Sequence, residues 1–191
     1  MSKNYIEDHT FDRKDFTTRP IEKGEYENCT FTNCNFSSSE LSSIVFSECV
    51  LSDCNLSLAQ IKGTAFRDVQ FKNCKLLGLH FQNCNEFLLA MNFQNCILNL
   101  ASFYKLKLKK TSFINSSLLE ADFSEADLSA SVFDNCDLAK AIFDNTTLER
   151  ADLRTAFNYS IDPETNRLKK ARFSMPAVAG LLDRYDIVIE G

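Results

Sequence analysis

Eight cysteines carry most of the reactive chemistry in this chain: Cys29, Cys34, Cys49, Cys54, Cys74, Cys84, Cys96 and Cys136. Thiolates hold zinc, close disulfides and attack electrophiles. A structural zinc site needs four converging ligands, commonly in C-x-x-C pairs, and the sequence contains no C-x-x-C. Histidine, the usual general base, occurs twice, as His9 and His80, and the sequence identifies no carboxylate partner for either. No G-x-S-x-G, H-E-x-x-H, G-x-x-x-x-G-K-[ST] or G-x-G-x-x-G is present, and there are only five glycines to build a phosphate cradle. The expectation is a protein that is not an enzyme, with no catalytic residue, no cofactor and no metal.

The spacing of the cysteines gives them a different meaning. Stepping five residues at a time from Ile6 to Phe81 meets sixteen apolar residues in succession. The next step lands on Glu86; after a shift of two, fourteen more follow from Leu88 to Leu153. Residues five apart on an α-helix diverge by about 140°. On a straight strand they face opposite sides. Only a chain that turns a corner in every quintet buries this pattern. Calling the apolar centre i, position i−2 shares its face. All eight cysteines occupy i−2, with Ala, Ser and Thr at most of the other such positions. Cysteine is small and readily buried, so these thiols are expected to be interior filling. A disulfide ladder is disfavoured. Neighbouring coils lie about 4.8 Å apart, whereas bridged Cβ atoms sit about 3.8 Å apart.

The repeat also gives the number of walls. Cys34, Cys54 and Cys74 recur every 20 residues, as do Leu98, Leu118 and Leu138. Twenty residues per coil is four sides. The 17 phenylalanines then fill a square tube, Phe walls opposite each other and Leu walls opposite each other.

The quintets Ala121-Asp122-Phe123-Ser124-Glu125 and Ala126-Asp127-Leu128-Ser129-Ala130, with Ala151-Asp152-Leu153-Arg154, resemble the pentapeptide repeat family over about residues 11 to 157. That resemblance implies an all-β fold, a right-handed quadrilateral parallel β-helix. Three segments are expected: an N-terminal cap and irregular first coil over 1–25, the repeat over 26–157 with a two-residue register slip at 82–87, and a C-terminal segment over 158–191. The first coil is expected to be irregular because His9, Lys14 and Arg19 hold i−2 positions, where a charge facing a dry interior is costly. In the last segment "LKKARF" adds a final side. Ser174 and Pro176 open a short helix, and Val178, Leu181, Leu182 and Tyr185 follow helical spacing. "DIVIE", with Ile187 and Ile189, reads as a closing strand. These six apolar side chains are candidate cap or dimer contacts, because Qnr-type quinolone-resistance proteins of the family resemble this tail and dimerise through it. Glu86 and Phe87 in the slip are the candidate partner-binding bulge.

Net charge is −5, which argues against direct nucleic-acid binding through a basic surface. Charge is segregated along the axis. Residues 105–110 hold four lysines, residues 120–152 hold nine acids against two bases, and residues 167–172 hold four bases. By column the acids fall on all four sides. The family resemblance implies a protein partner, with a bacterial type II topoisomerase bound by an anionic, DNA-like rod as the leading expectation. A scaffold with another partner is the alternative. Qnr proteins with strong protection have two long projecting loops, whereas this chain has only the slip. No secretory signal, no membrane span and a cytoplasmic location with reduced thiols are expected.

Overall fold

The structure, a computed structural model, describes residues 4–189. Each quintet forms one short side, and sides 20 residues apart stack in parallel into a right-handed, four-walled β-helix. One wall carries β1 (Asn4–Glu7), β3 (Gly24–Glu27), β5 (Val45–Ser47) and β7 (Ala65–Arg67), ordered β1-β3-β5-β7. A second carries β2 (Thr10–Asp12), β4 (Thr30–Thr32), β6 (Val50–Ser52), β8 (Val69–Lys72), β9 (Met91–Gln94), β10 (Ser112–Ile114) and β11 (Val132–Asp134). The other two walls are held by single parallel bridges such as Asn55↔Lys75 and Ser102↔Asp122.

Corners form where the residue at i+2 turns left-handed. On the second wall these are Arg13, Asn33, Asp53, Asn73, Asn95, Asn115 and Asn135, with φ between 49° and 56°. Asparagine tolerates this region best among residues bearing a side chain. Here it also ladders: Asn95 Nδ2 donates to Asn73 Oδ1 at 3.0 Å, and Asn135 Nδ2 to Asn115 Oδ1 at 3.0 Å.

The interior is filled by side chains. Phe103 stacks on Phe123 with ring centroids 5.0 Å apart, and Phe93 on Phe113 at 5.1 Å. The two columns meet edge to face, Phe103 against Phe113 at 5.9 Å. Such geometry suits the ring quadrupole. All eight thiols are free and buried at i−2.

The slip lies later than the expected 82–87. Ala65 still pairs with Asn85, 20 residues on, whereas Val69 pairs with Met91, 22 residues on. The two extra residues therefore fall within 86–90. Leu88 does not resume the interior register: it sits at φ 60° and is 64% exposed, and Leu89 packs partly against the core instead. A 3-10 turn, Phe81–Asn83, precedes the insertion.

The ends also differ from expectation. β1 and β2 pair in register with β3 and β4, so the first coil carries regular strands on two walls. His9, Lys14 and Arg19 are exposed there at the open mouth. At the other end, Thr147↔Arg167 and Asp152↔Arg172 bridges extend two walls. The short helix is 3-10 rather than α, over Met175–Leu181, followed by a 3-10 turn at Asp183–Tyr185. Ser174 precedes it in extended geometry without a side-chain cap bond. No closing strand forms among the described residues of 186–189; Glu190 lies outside them.

Candidate partner-binding surface

The insertion interrupts a smooth wall. Asn85 Oδ1 accepts from the Phe87 backbone N–H at 2.9 Å, a local turn that throws the next side chains outward. Glu86 is exposed, and the Phe87 ring is 66% exposed with the Arg67 guanidinium 5.7 Å from its centroid. Leu88, expected from the sequence to resume the interior register, instead joins Phe87 in this apolar bulge. Its signal was the run "FLLA", which offers two leucines for one interior place.

The C-terminal candidates separate into two groups. Val178, Leu181 and Leu182 are half-buried, and Leu181 packs on the end of the core with Ala177 and Phe173. The segment docks closely: Ile161 N–H donates to the Gly180 carbonyl at 2.9 Å. Arg184 ties it down with ion pairs to Asp162 and, at 3.1 Å, to Glu164. The Arg184 hydrogen bond holds the Asp162 carboxyl below its ordinary range. Tyr185 donates from its hydroxyl to Glu164 at 2.9 Å. Ile187 and Ile189 are exposed and pack on nothing in the tube. Of the six, Leu181 thus packs on the end of the core, Val178 and Leu182 are half-buried, and Ile187 and Ile189 are exposed.

The thiols face inward. Burial pushes the Cys49 thiol up to about 11 and the Cys136 thiol up to about 12, because the interior disfavours the thiolate. Among the described residues, no three His, Cys, Asp and Glu side chains converge as metal ligands. No helix there is long and apolar enough to cross a membrane.

Charge on the β1-β3-β5-β7 wall is ordered in a way the sequence reading missed. Before the insertion its outward side chains include Glu7, Asp8, Glu25, Glu27, Glu48 and Asp68 against Arg67. After it, the same wall is carried on by the Lys107↔Asp127, Asp127↔Thr147 and Thr147↔Arg167 bridges. There it presents mostly lysine and arginine.

A four-walled β-helix with a filled interior defines a repeat solenoid, whose outside is its working surface. The chain belongs to the pentapeptide repeat family: the model described as "Pentapeptide repeat region" matches residues 25–86 and 88–157. The break between the two matches falls on Phe87, within the insertion. Comparison with curated proteins finds no match. Among solved structures, a trypsin-treated variant of QnrB1, "a plasmid-mediated fluoroquinolone resistance protein", is similar at TM-score 0.65 and 19% identity, over 98% of this chain and 100% of that one. Full-length QnrB1 is similar at TM-score 0.64 and 18% identity, over 96% and 100%. HetL, from the cyanobacterium Nostoc sp. strain PCC 7120, covers 91% of this chain with 90% of its own at TM-score 0.39 and 16% identity.

Proposed function

We propose that the protein is a non-enzymatic, cytoplasmic binding module that presents its rigid walls to a protein partner, and that this partner is a bacterial type II topoisomerase. One observation carries the reading. The fold matches, end to end, that of a fluoroquinolone-resistance protein, and fluoroquinolones act on type II topoisomerases. The acidic balance of −5 supports a surface that competes for a DNA-binding groove electrostatically. Eight free buried thiols suit a reducing compartment.

The test is gyrase supercoiling with and without ciprofloxacin, together with co-purification at micromolar protein. Inhibition, or relief of the drug's effect, supports the assignment. No effect in either assay and no co-purification remove it.

A second reading has its own support. The insertion projects only the short bulge at 86–90, whereas Qnr proteins with strong protection carry two long loops. A scaffold that binds another protein through the same walls is therefore the alternative, and binding to gyrase without drug protection would favour neither drug resistance nor loss of the topoisomerase partner.

A further inference from the structure

The wall of opposite charges and the bulge at its middle belong together. On this wall the interior centres before the insertion are Ile6, Tyr26, Phe46 and Phe66; those after it are Leu108, Leu128, Leu148 and Leu168. Phe81 stacks on Phe103 with centroids 4.8 Å apart, so the side that follows Phe103 lies directly beyond the side holding the insertion. Four rungs stand on each side of Phe87 and Leu88.

Little of the charge is neutralised within the chain. Arg67 pairs with Glu25 at 3.6 Å and Lys109 with Asp127 at 3.2 Å. Glu7, Asp8, Glu27, Glu48 and Asp68 have no cation within ion-pair distance among the described residues, and Lys107, Lys110, Arg150, Arg167, Lys169 and Lys170 have no acid. The only other acid on the later half of the wall is Glu149. Summed over its rungs each half repels itself and is opposite in sign to the other, with the opposition concentrated at the rungs next to the insertion and at the two ends, since the rung of Asp127 carries no base and that of Arg150 also carries Glu149.

We propose that two copies of this chain pack through this wall, antiparallel, about a two-fold axis that passes through the insertion. An isologous contact places the same patch on both subunits, with each residue meeting its counterpart reciprocally. Equal rung numbers on either side make the pairing close. The rung of Asp68 meets that of Lys107 and Lys110. The rung of Glu7 and Asp8 meets that of Arg167, Lys169 and Lys170. Phe87 and Leu88 of both copies meet at the axis, where mutual burial removes the apolar bulge from water. The charged wall spans about 38 Å at the usual rung spacing of about 4.8 Å. The C-terminal segment takes no part.

The test is the oligomeric state of the full chain by sedimentation equilibrium at about 0.05 M and about 1 M salt, across which screening shortens several-fold. A dimer at low salt that dissociates at high salt is expected. Two charge-reversed variants, one with Glu7→Lys, Asp8→Lys and Asp68→Lys, the other with Lys107→Glu, Lys110→Glu and Lys169→Glu, should each be monomeric alone. Their equimolar mixture should dimerise, because one wall is then on balance basic and the other on balance acidic. All six side chains are exposed, and circular dichroism checks that the fold survives. Phe87→Cys supplies an independent readout: in mild oxidant it should form an intermolecular disulfide across the axis. A monomer at low salt, no dimer in the mixture, or dimers that persist in both single variants would overturn the proposal. The last outcome is what packing through Ile187 and Ile189 would give. None of these measurements depends on gyrase, so a negative supercoiling assay leaves the dimer standing, and the reverse.

Discussion

The thiol of Cys136 donates across one coil to the backbone carbonyl of Phe113, at 3.3 Å. Cys54 does the same to Phe31 at 3.4 Å and Cys74 to Leu51 at 3.3 Å. Cys96 reaches Phe71 at 3.4 Å, 25 residues back rather than 23, because the insertion intervenes. Hydroxyls take the same role elsewhere, Thr146 to Phe123 at 2.8 Å and Ser131 to Leu108 at 2.9 Å. The i−2 position therefore asks for a small side chain, which alanine also supplies at Ala121, Ala126 and Ala151, and where a donor is present it bonds one coil back, sulfur being one way to do so. Cys136→Ser keeps the donor and should change the urea midpoint by less than about 1 kcal/mol equivalent. Cys136→Leu keeps apolarity but overfills the tube and should cost about 1–3 kcal/mol. Equal costs for the two would contradict this account of the site.

The same burial predicts slow thiol chemistry. All eight cysteines are buried and unbridged, and the thiolate, which does the reacting, is disfavoured inside. Ellman's reagent should label the native chain slowly and all eight thiols after denaturation. Fast native labelling of most of them would rule out an interior ladder.

Stability should fall in alkali. Cys49 is pushed up to about 11 and Cys136 to about 12 from an ordinary 9.0, chiefly by desolvation. Tyr26 rises to about 12 from 10.0, again chiefly by burial. These groups bind protons more tightly folded than unfolded. Their contribution is complete below about pH 9 and is lost as pH climbs through 11 to 12. Thermal melts at rising pH should show a declining Tm over that window, with a shallower decline in Cys49→Ala. A flat profile would show that these thiols titrate as they do in water.

Gly24 holds the first coil to the second. A Cβ built there would lie 2.4 Å from the carbonyl oxygen of Asn4, a backbone atom fixed by pairing of Asn4 with Gly24. Gly24→Ala should separate β1 from β3 at a cost of about 1–3 kcal/mol. Hydrogen exchange should speed up in residues 4–12 and stay unchanged around Phe113. Unchanged protection in residues 4–12 would mean that the strand gives way without loss.

Much of this architecture could be read from residue types alone, because each side contributes one large and one small interior residue at fixed phase. Phe133 and Cys136 were placed correctly by counting. The reading failed where two residues compete for one place. Leu88 and Leu89 are equally apolar, and only the backbone path through 86–90 selects Leu89. At the tail the expected short helix forms, in a tighter winding, while the closing strand does not form among the described residues. Val178, Leu181, Leu182 and Tyr185 fit helical spacing, yet the segment winds as 3-10 against Tyr159, where a Cβ on Gly180 would lie 2.1 Å from the Tyr159 carbonyl oxygen. Short 3-10 pieces are common where a chain closes over an end. The charge order of one wall was hidden for another reason. Lys107 and Glu48 are distant in sequence, and their common wall emerges only once every outward residue is assigned to a side.

The competition at the insertion gives a direct experiment. Glu86 would be the interior centre if the 20-residue spacing from Phe66 continued, and a carboxylate cannot fill that place without a partner. The chain instead spends two residues on a bulge and exposes Phe87 and Leu88. Deleting Glu86 and Phe87 together restores the spacing: Asn85 keeps its bridge to Ala65, Leu88 becomes the centre, and Met91 falls 20 residues after Val69 in the shortened chain. Leu88 takes the interior place that Leu89 now fills in part, so apolar burial there is kept while an exposed Phe87 and two residues that must be ordered are removed. The shortened chain should therefore fold with a urea midpoint at or above that of the parent. It should also lose the apolar centre of the charged wall, so its dimer should be weaker even as the monomer is no less stable. A midpoint lower by more than about 1 kcal/mol equivalent would show that the bulge supports the coils around it.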